Sequence, residues 1–203
     1  MPGGLKRRIS RAEGQRRTGT DRTLTAIAQP MRSLDADRLT LVPQTAAHAD
    51  EMFVVLGDPE IYRHENAPPP SVEWLRERFA RLETRTSPDR KEQWLNWVLR
   101  VPGGALIGYV QATLYGNAHA AIAYELSSAY WGRGLASLAV ATMIAELAGP
   151  YRVRQLGAVL KRENRRSLRL LERLGFSRAS AALHAERQVE PSEMLMTRRV
   201  QSV

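Results

Sequence analysis

Three β-rich segments, 94–101, 105–115 and 120–127, follow one another with links too short to carry a chain back to the start of a parallel neighbour. They must therefore pair antiparallel and form the centre of a sheet. The first link is Pro102-Gly103-Gly104, a combination suited to a tight hairpin. Everything else in the chain has to be arranged around this meander.

After the meander the period changes. Apolar residues at 135, 138, 139, 143, 144 and 147 predict a helix over 134–147 that Gly149-Pro150 ends. A strand over 155–160 follows, then a helix capped by Asn164 with Leu168, Leu171 and Leu174 inward and Gly175 as its stop. Two last strands are expected around 177–183 and 194–200. Before the meander, 39–42 reads as a strand and 46–56 as a helix halted by Gly57-Asp58-Pro59. Ser71, after three prolines, reads as the N-cap of a further helix with Val72, Leu75, Phe79 and Leu82 on one face. The fold class is thus α/β of the α+β mixed kind: a central mixed, mostly antiparallel sheet flanked by helices.

A chain of 203 residues with 43% apolar and 25% charged residues suits one globular domain, and no apolar run reaches the ~20 residues of a membrane helix. The net charge of +9 is unevenly placed: residues 1–33 carry eight basic side chains against Glu13 and Asp21, leaving +3 for the remainder. With little to bury and no period, 1–33 is expected to be a disordered basic tail ahead of a domain over 34–203. The tail could also be a nucleic-acid or membrane-surface arm, an organelle presequence, or a stretch upstream of a natural start at Met31. Cysteine is absent, which excludes disulfides, thiolate ligands and a cysteine nucleophile, and with no apolar signal segment the expected compartment is the cytoplasm. His48, His64, His119 and His184 lack ligand spacing, so no metal is expected.

Chemistry concentrates between Tyr124 and Ala136, where a strand, a polar turn and a glycine-spaced helix entry coincide. Gly132 and Gly134 allow a tight turn and close approach by a ligand. The first helical N–H groups lack internal partners and carry the positive end of the helix dipole, which suits a pyrophosphate. A Gly-x-Gly turn alone also occurs where close packing is all that is required. A Walker loop would need Gly-Lys-Ser/Thr, and a dinucleotide fold a third glycine and a later acidic residue; neither is present.

The linked segments Ile122-Ala123-Tyr124-Glu125-Leu126, Tyr130-Trp131-Gly132-Arg133-Gly134-Leu135-Ala136, Glu163-Asn164-Arg165-Arg166-Ser167 and Leu174-Gly175-Phe176 resemble, in order and spacing, the GNAT superfamily of acyl-CoA N-acyltransferases. The resemblance spans roughly 34–200. Within it, the Tyr-Trp-Gly-x-Gly form and the Asn-x-x-Ser pair look most like the branch of bacterial ribosomal-protein N-terminal acetyltransferases. Trp131 stands where Arg or Gln is commoner, and the strand 120–124 lacks the acidic residue and glycine often found near its start.

The resemblance implies acetyl-CoA as cosubstrate, with backbone groups of Tyr124, Glu125 and Leu126 against the pantetheine arm and the turn from Trp131 through Gly132, Arg133, Gly134, Leu135, Ala136 and Ser137 around the pyrophosphate. Arg133 either adds charge there or is a solvated helix-entry residue. A strand N–H near Leu126, freed by the local disturbance of the sheet that family members show, is the candidate oxyanion donor.

Ser167 is the candidate acid for the departing thiolate, with Asn164 orienting it or the pantetheine; the competing reading is a cap alone. Glu125 is the candidate base, or else, if its face packs under helices, a structural ion-pair member. Trp74, Trp94 and Trp97 either line an acceptor pocket or pack the core. The reaction implied is direct attack of a primary amine, on a protein N-terminus or a small molecule, without a covalent enzyme intermediate. A non-catalytic acyl-CoA-binding sensor is the alternative. The protein is expected to act as a monomer or homodimer, with no membrane partner and no nucleic acid beyond nonspecific contact by the tail.

Overall fold

The computed structural model describes residues 30–64 and 67–201. Most of the expected tail, residues 1–29, lies outside the described residues. Eight strands form one sheet in the order β1-β2-β3-β4-β5-β6-β8-β7: β1 Leu34–Ala36, β2 Leu39–Pro43, β3 Glu92–Arg100, β4 Leu106–Tyr115, β5 His119–Leu126, β6 Gln155–Lys161, β7 Ser177–Arg178 and β8 Glu193–Arg199. All neighbours are antiparallel except β5 and β6. The connection between those two, residues 127–154, carries a helix and is long enough for the crossover a parallel pair requires.

Among the described residues five α-helices flank the sheet: α1 Ala49–Val55, α2 Val72–Glu83, α3 Leu135–Ala148, α4 Arg165–Arg173 and α5 Ala181–Glu186. On one face α3 and α4 cover the larger core, which includes Leu95, Trp97, Val110, Ile122, Met143, Leu156 and Leu171. On the other, α1 and α2 pack Met52, Leu75 and Phe79 onto Val98, Leu106 and Tyr109. The Ser71 cap is as read from the sequence, its side-chain oxygen accepting from the Trp74 amide at 3.2 Å.

Two elements differ from the sequence reading. The stretch 177–183 is a strand only at Ser177–Arg178, because Ser180 caps α5 by accepting from Leu183 N, and the alanines after it favour helix. The strand β1 was not anticipated; it is three residues long and too short to show a period. Residues 30–33, grouped with the tail in the sequence, are tied to the body here. Arg32 holds Glu146 of α3 through two hydrogen bonds of 3.2 and 2.7 Å, and its carbonyl accepts from Trp97 Nε1 at 3.0 Å.

Candidate functional site

The parallel ladder between β5 and β6 covers only His119–Ala121 against 155–157. Beyond it the strands part, and residues 122–126 face an opening. Ser127 N donates across to Ile107 O of β4 at 2.9 Å. Because peptide groups alternate direction along an antiparallel strand, Ile122, Tyr124 and Leu126 turn theirs toward the opening. The Leu126 carbonyl on that side accepts from Trp131 Nε1 at 2.9 Å, which leaves its amide as the group directed inward. The disturbance expected at Leu126 itself is placed differently. The register of β4 with β5 is continuous, and the irregularity lies one strand away, where Ile107 is skipped between Leu99↔Gly108 and Arg100↔Leu106. It is the parting of β6, caused by the end of the parallel ladder, that opens the edge at Leu126.

The turn Ser128–Tyr130 leads from β5 to Trp131 and the two glycines, both at φ 76, a left-handed value that glycine adopts without strain. Residues 132–134 are exposed, and α3 begins on Gly134 with no side-chain cap. Its first intrahelical bond runs from Leu138 N to Gly134 O at 3.0 Å, so the amides of Leu135, Ala136 and Ser137 have no acceptor within the helix. An uncapped, solvent-facing helix start is a fitting cradle for a phosphate.

Cations surround this turn. Arg133 lies over the Tyr130 ring at 5.3 Å, and its carbonyl accepts from Arg38 Nη1 at 3.0 Å. Arg38, from the turn between β1 and β2, was not singled out in the sequence; its contact spans 95 residues and carries no local signal. Arg166 stacks on Trp131 at 4.3 Å, so the residue that replaces the commoner Arg or Gln receives a cation from α4.

Across the opening, Asn164 Oδ1 accepts from Ser167 N at 3.0 Å, the cap read from the sequence. The Ser167 hydroxyl is also 2.6 Å from the Tyr124 hydroxyl. This bond joins β5 to α4 where their strands have separated. Burial pushes the Tyr124 phenol up to about 12, with the Ser167 hydrogen bond pulling the other way. The Tyr124 side chain is a polar group at the opening that the sequence reading missed, since only its backbone had been considered.

Glu125 points to the opposite face, as alternation requires, and is half-buried there. Its cross-strand neighbour is Tyr109, whose phenol is pushed well up by burial and then by the Glu125 charge. Tyr62 is raised by the same two causes with Asp58 adding to them, and Arg78, only 9% exposed, is lowered by burial while Tyr109 and Glu125 oppose the shift. Arg78 also sits over the Trp74 ring at 5.5 Å. Trp94 and Trp97 are buried in the core with their indole N–H groups on Glu92 and Arg32. Of the three tryptophans, Trp74 is the one in contact with Arg78, which in turn feels the Glu125 charge. Among the described residues no group of His, Cys, Asp and Glu could hold a metal ion, and no helix is long and apolar enough to cross a membrane.

A mostly antiparallel sheet that parts beside a glycine-led helix entrance defines the acyl-CoA-dependent N-acyltransferases. The chain belongs to the GNAT acetyltransferases: the family model described as Acetyltransferase (GNAT) domain matches residues 38–177. It is similar to the uncharacterized N-acetyltransferase YoaA of Bacillus subtilis (strain 168), 24% identical over 148 residues that cover 71% of this chain and 82% of that protein. In fold it is similar to RimL, the ribosomal L7/L12 alpha-N-protein acetyltransferase in complex with coenzyme A, with TM-score 0.71, 14% identity, and 85% of this chain and all of that one covered. It is likewise similar to the microcin C7 self immunity acetyltransferase MccE in complex with acetyl-CoA and AMP, with TM-score 0.64, 16% identity, and 81% and 93% covered. The protein is an acetyl-CoA-dependent acetyltransferase.

Proposed function

We propose that the protein moves the acetyl group of acetyl-CoA to a primary amine by direct attack, with the donor lying along the opening between β5 and β6. The observation that carries this reading is the coincidence of that opening with the uncapped start of α3 at one end and the Tyr124–Ser167 hydroxyl pair across it. The amides of 132–137, with Arg38 and Arg133 beside them, hold the pyrophosphate. The peptide groups of Tyr124 and Leu126 align the pantetheine arm, and Trp131, anchored on Leu126 and stacked by Arg166, walls the entrance.

In the reaction the amine nitrogen bonds to the thioester carbon, and the Leu126 amide stabilises the oxygen on which charge develops. The C–S bond then breaks. The thiolate takes a proton from Ser167, Ser167 takes the one held by Tyr124, whose phenol stays protonated far above neutral pH, and solvent water returns a proton to Tyr124. The proton lost by the amine leaves on the Glu125 side. A free α-amine, with a reference pKa near ~8, asks less of that base than a lysine at ~10.4. Asn164 acts through Ser167, fixing the first turn of α4 on which the hydroxyl stands.

Calorimetric titration with coenzyme A and acetyl-CoA tests the cradle, and thiol release over a panel of amines, including peptides with free N-termini, tests the transfer. Binding together with thiol release is expected. Absence of binding at millimolar ligand would overturn the cradle, and binding without release on any amine would overturn the transfer.

A further inference from the structure

The face of the sheet bearing Glu125 is covered unevenly. The helices α1 and α2 lie over β3 and β4, whereas α5 and the turn after it stand over β6 and β8. Beneath α5 is a cavity of about 470 Å³. Its floor includes Ala121, Gly157 and Val159, and Ala121↔Gly157 is the last pair of the parallel ladder. The cavity therefore begins where β5 and β6 part. The small floor residues leave it open; a Cβ on Gly157 would meet only Leu195 Cδ1, at 3.7 Å.

The polar groups of the wall largely satisfy one another. Glu193 is 2% exposed and holds Lys161 Nζ at 3.2 Å, and Ser192 Oγ accepts from the same ammonium at 3.0 Å. His119 is lowered by burial and then by the Arg187 charge, so it is neutral near pH 7. Glu190 is exposed at the rim, where water screens it. Arg187 differs from all of these: it is half-buried, lines the cavity, and makes no ion pair with any described residue. A chamber whose floor is apolar and whose wall carries one cation that no described residue pairs suits a ligand with an apolar body and an anionic end. The Arg187 charge lies by His119, five residues before Tyr124 on a strand that rises ~3.3 Å per residue, so the anion and the reacting nitrogen must be well separated.

Resting on the acetyl-transfer reading above, we infer that this cavity receives the acceptor, and that Arg187 selects primary amines carrying a carboxylate at the far end of a long apolar chain. The test compares a twelve-carbon ω-amino acid, long enough when extended to span that separation, with dodecylamine and the matching diamine. Binding is measured by calorimetry in the presence of coenzyme A and turnover by thiol release. The wild type is expected to favour the ω-amino acid over dodecylamine by about tenfold in Kd and kcat/KM, the scale of one charge-assisted hydrogen bond in a partly exposed site. Arg187→Gln should erase that preference while leaving the affinity for acetyl-CoA unchanged. Gly157→Leu, which fills the floor, should raise the KM of every amine. Equal affinity for the three compounds, preference for the diamine, or a carboxylate preference that survives Arg187→Gln would overturn the inference. Loss of coenzyme A binding, or of thiol release with all amines, would instead sink the acetyl-transfer reading beneath it.

Discussion

A Cβ added to Gly108 would lie 2.1 Å from the Glu125 carbonyl oxygen and 2.8 Å from the Leu126 Cα, and the residue's φ of 154 is one that side chains rarely adopt. The obstacle is backbone and cannot rotate away. Gly108→Ala is therefore expected to cost about 2–4 kcal/mol, the range of overpacking plus local strain. It should also cut acetyl transfer, because the displaced segment is the one presenting Leu126 to the opening. Denaturant unfolding and thiol release on the same sample check both, and wild-type stability in this variant would mean that β4 and β5 do not approach so closely. The hydroxyl pair makes a second prediction. Tyr124→Phe and Ser167→Ala should each lower kcat by about 10–100-fold, within the span of general acid catalysis, with the KM for acetyl-CoA within about twofold. An unchanged kcat in both would reduce Ser167 to a capping partner. Asn164 and Ser167 could be read in the sequence because a cap is a local event over three residues. Gly108 could not, because a glycine inside a strand looks the same whether it is demanded or tolerated, and only the neighbouring backbone decides.

Between elements, one carboxylate joins the chain before the site to the turn that carries it. Asp58 caps the turn Pro59–Tyr62 through Glu60 N at 3.0 Å, while its other oxygen accepts from Ser128 N at 2.6 Å and Ser127 Oγ at 3.3 Å. Removing it by Asp58→Ala should cost about 1–2 kcal/mol, as for the loss of a helix cap. The same variant should raise the KM for acetyl-CoA, since the loosened turn leads directly to Trp131 and Gly132. Burial alone would push the Asp58 carboxyl up, but hydrogen bonds from Ser128, Glu60 and Ser127 outweigh it and hold the group below its ordinary value. A depressed carboxyl stabilises the fold fully above the unfolded pKa of ~3.9, and the contribution is lost as pH falls through the lower folded value. Acid unfolding of wild type and Asp58→Asn should accordingly converge at the lowest pH, and a gap that persists there would contradict the assignment. At this scale Asp58 was legible only as part of a stop signal, Gly57-Asp58-Pro59; its bond to Ser128 spans 70 residues and leaves no trace in local pattern. The stretch after Gly175 was misread for the opposite reason. Its signal is local: Ser180 ahead of Ala181-Ala182-Leu183 favours a capped helix over a strand, and the cap on Leu183 N makes it α5.

For the whole molecule, the meander, the crossover helix and the strand after it were legible because link length dictates strand direction. Where the parallel ladder ends was not, since β6 keeps its pairing with β8 along its whole length while its pairing with β5 stops at Gly157, a long-range choice without a local signal, and the opening that organises the site is set there. Buried tyrosines on both faces of the sheet then tie stability to alkaline pH. Burial raises Tyr62, Tyr109 and Tyr151 above the ordinary phenol value and Tyr124 to about 12, with Glu125 adding to the first two and Glu146 to Tyr151. In the unfolded chain these phenols ionise near pH ~10, while in the native protein they keep their protons beyond it. Over that interval the native state binds more protons than the unfolded one, so stability falls as pH rises, and below pH ~10 these groups contribute no slope. Melting temperature followed from pH 8 to pH 11 should thus be flat with respect to them at first and then decline. Phenolate absorbance of the native protein should fall short of its six tyrosines until unfolding releases the rest. If all six ionised together near pH 10 in a protein that still binds coenzyme A, the tyrosines around Glu125 and Ser167 would have to be open to solvent. The site would then lack the dry, pre-set proton donor on which the proposed transfer relies.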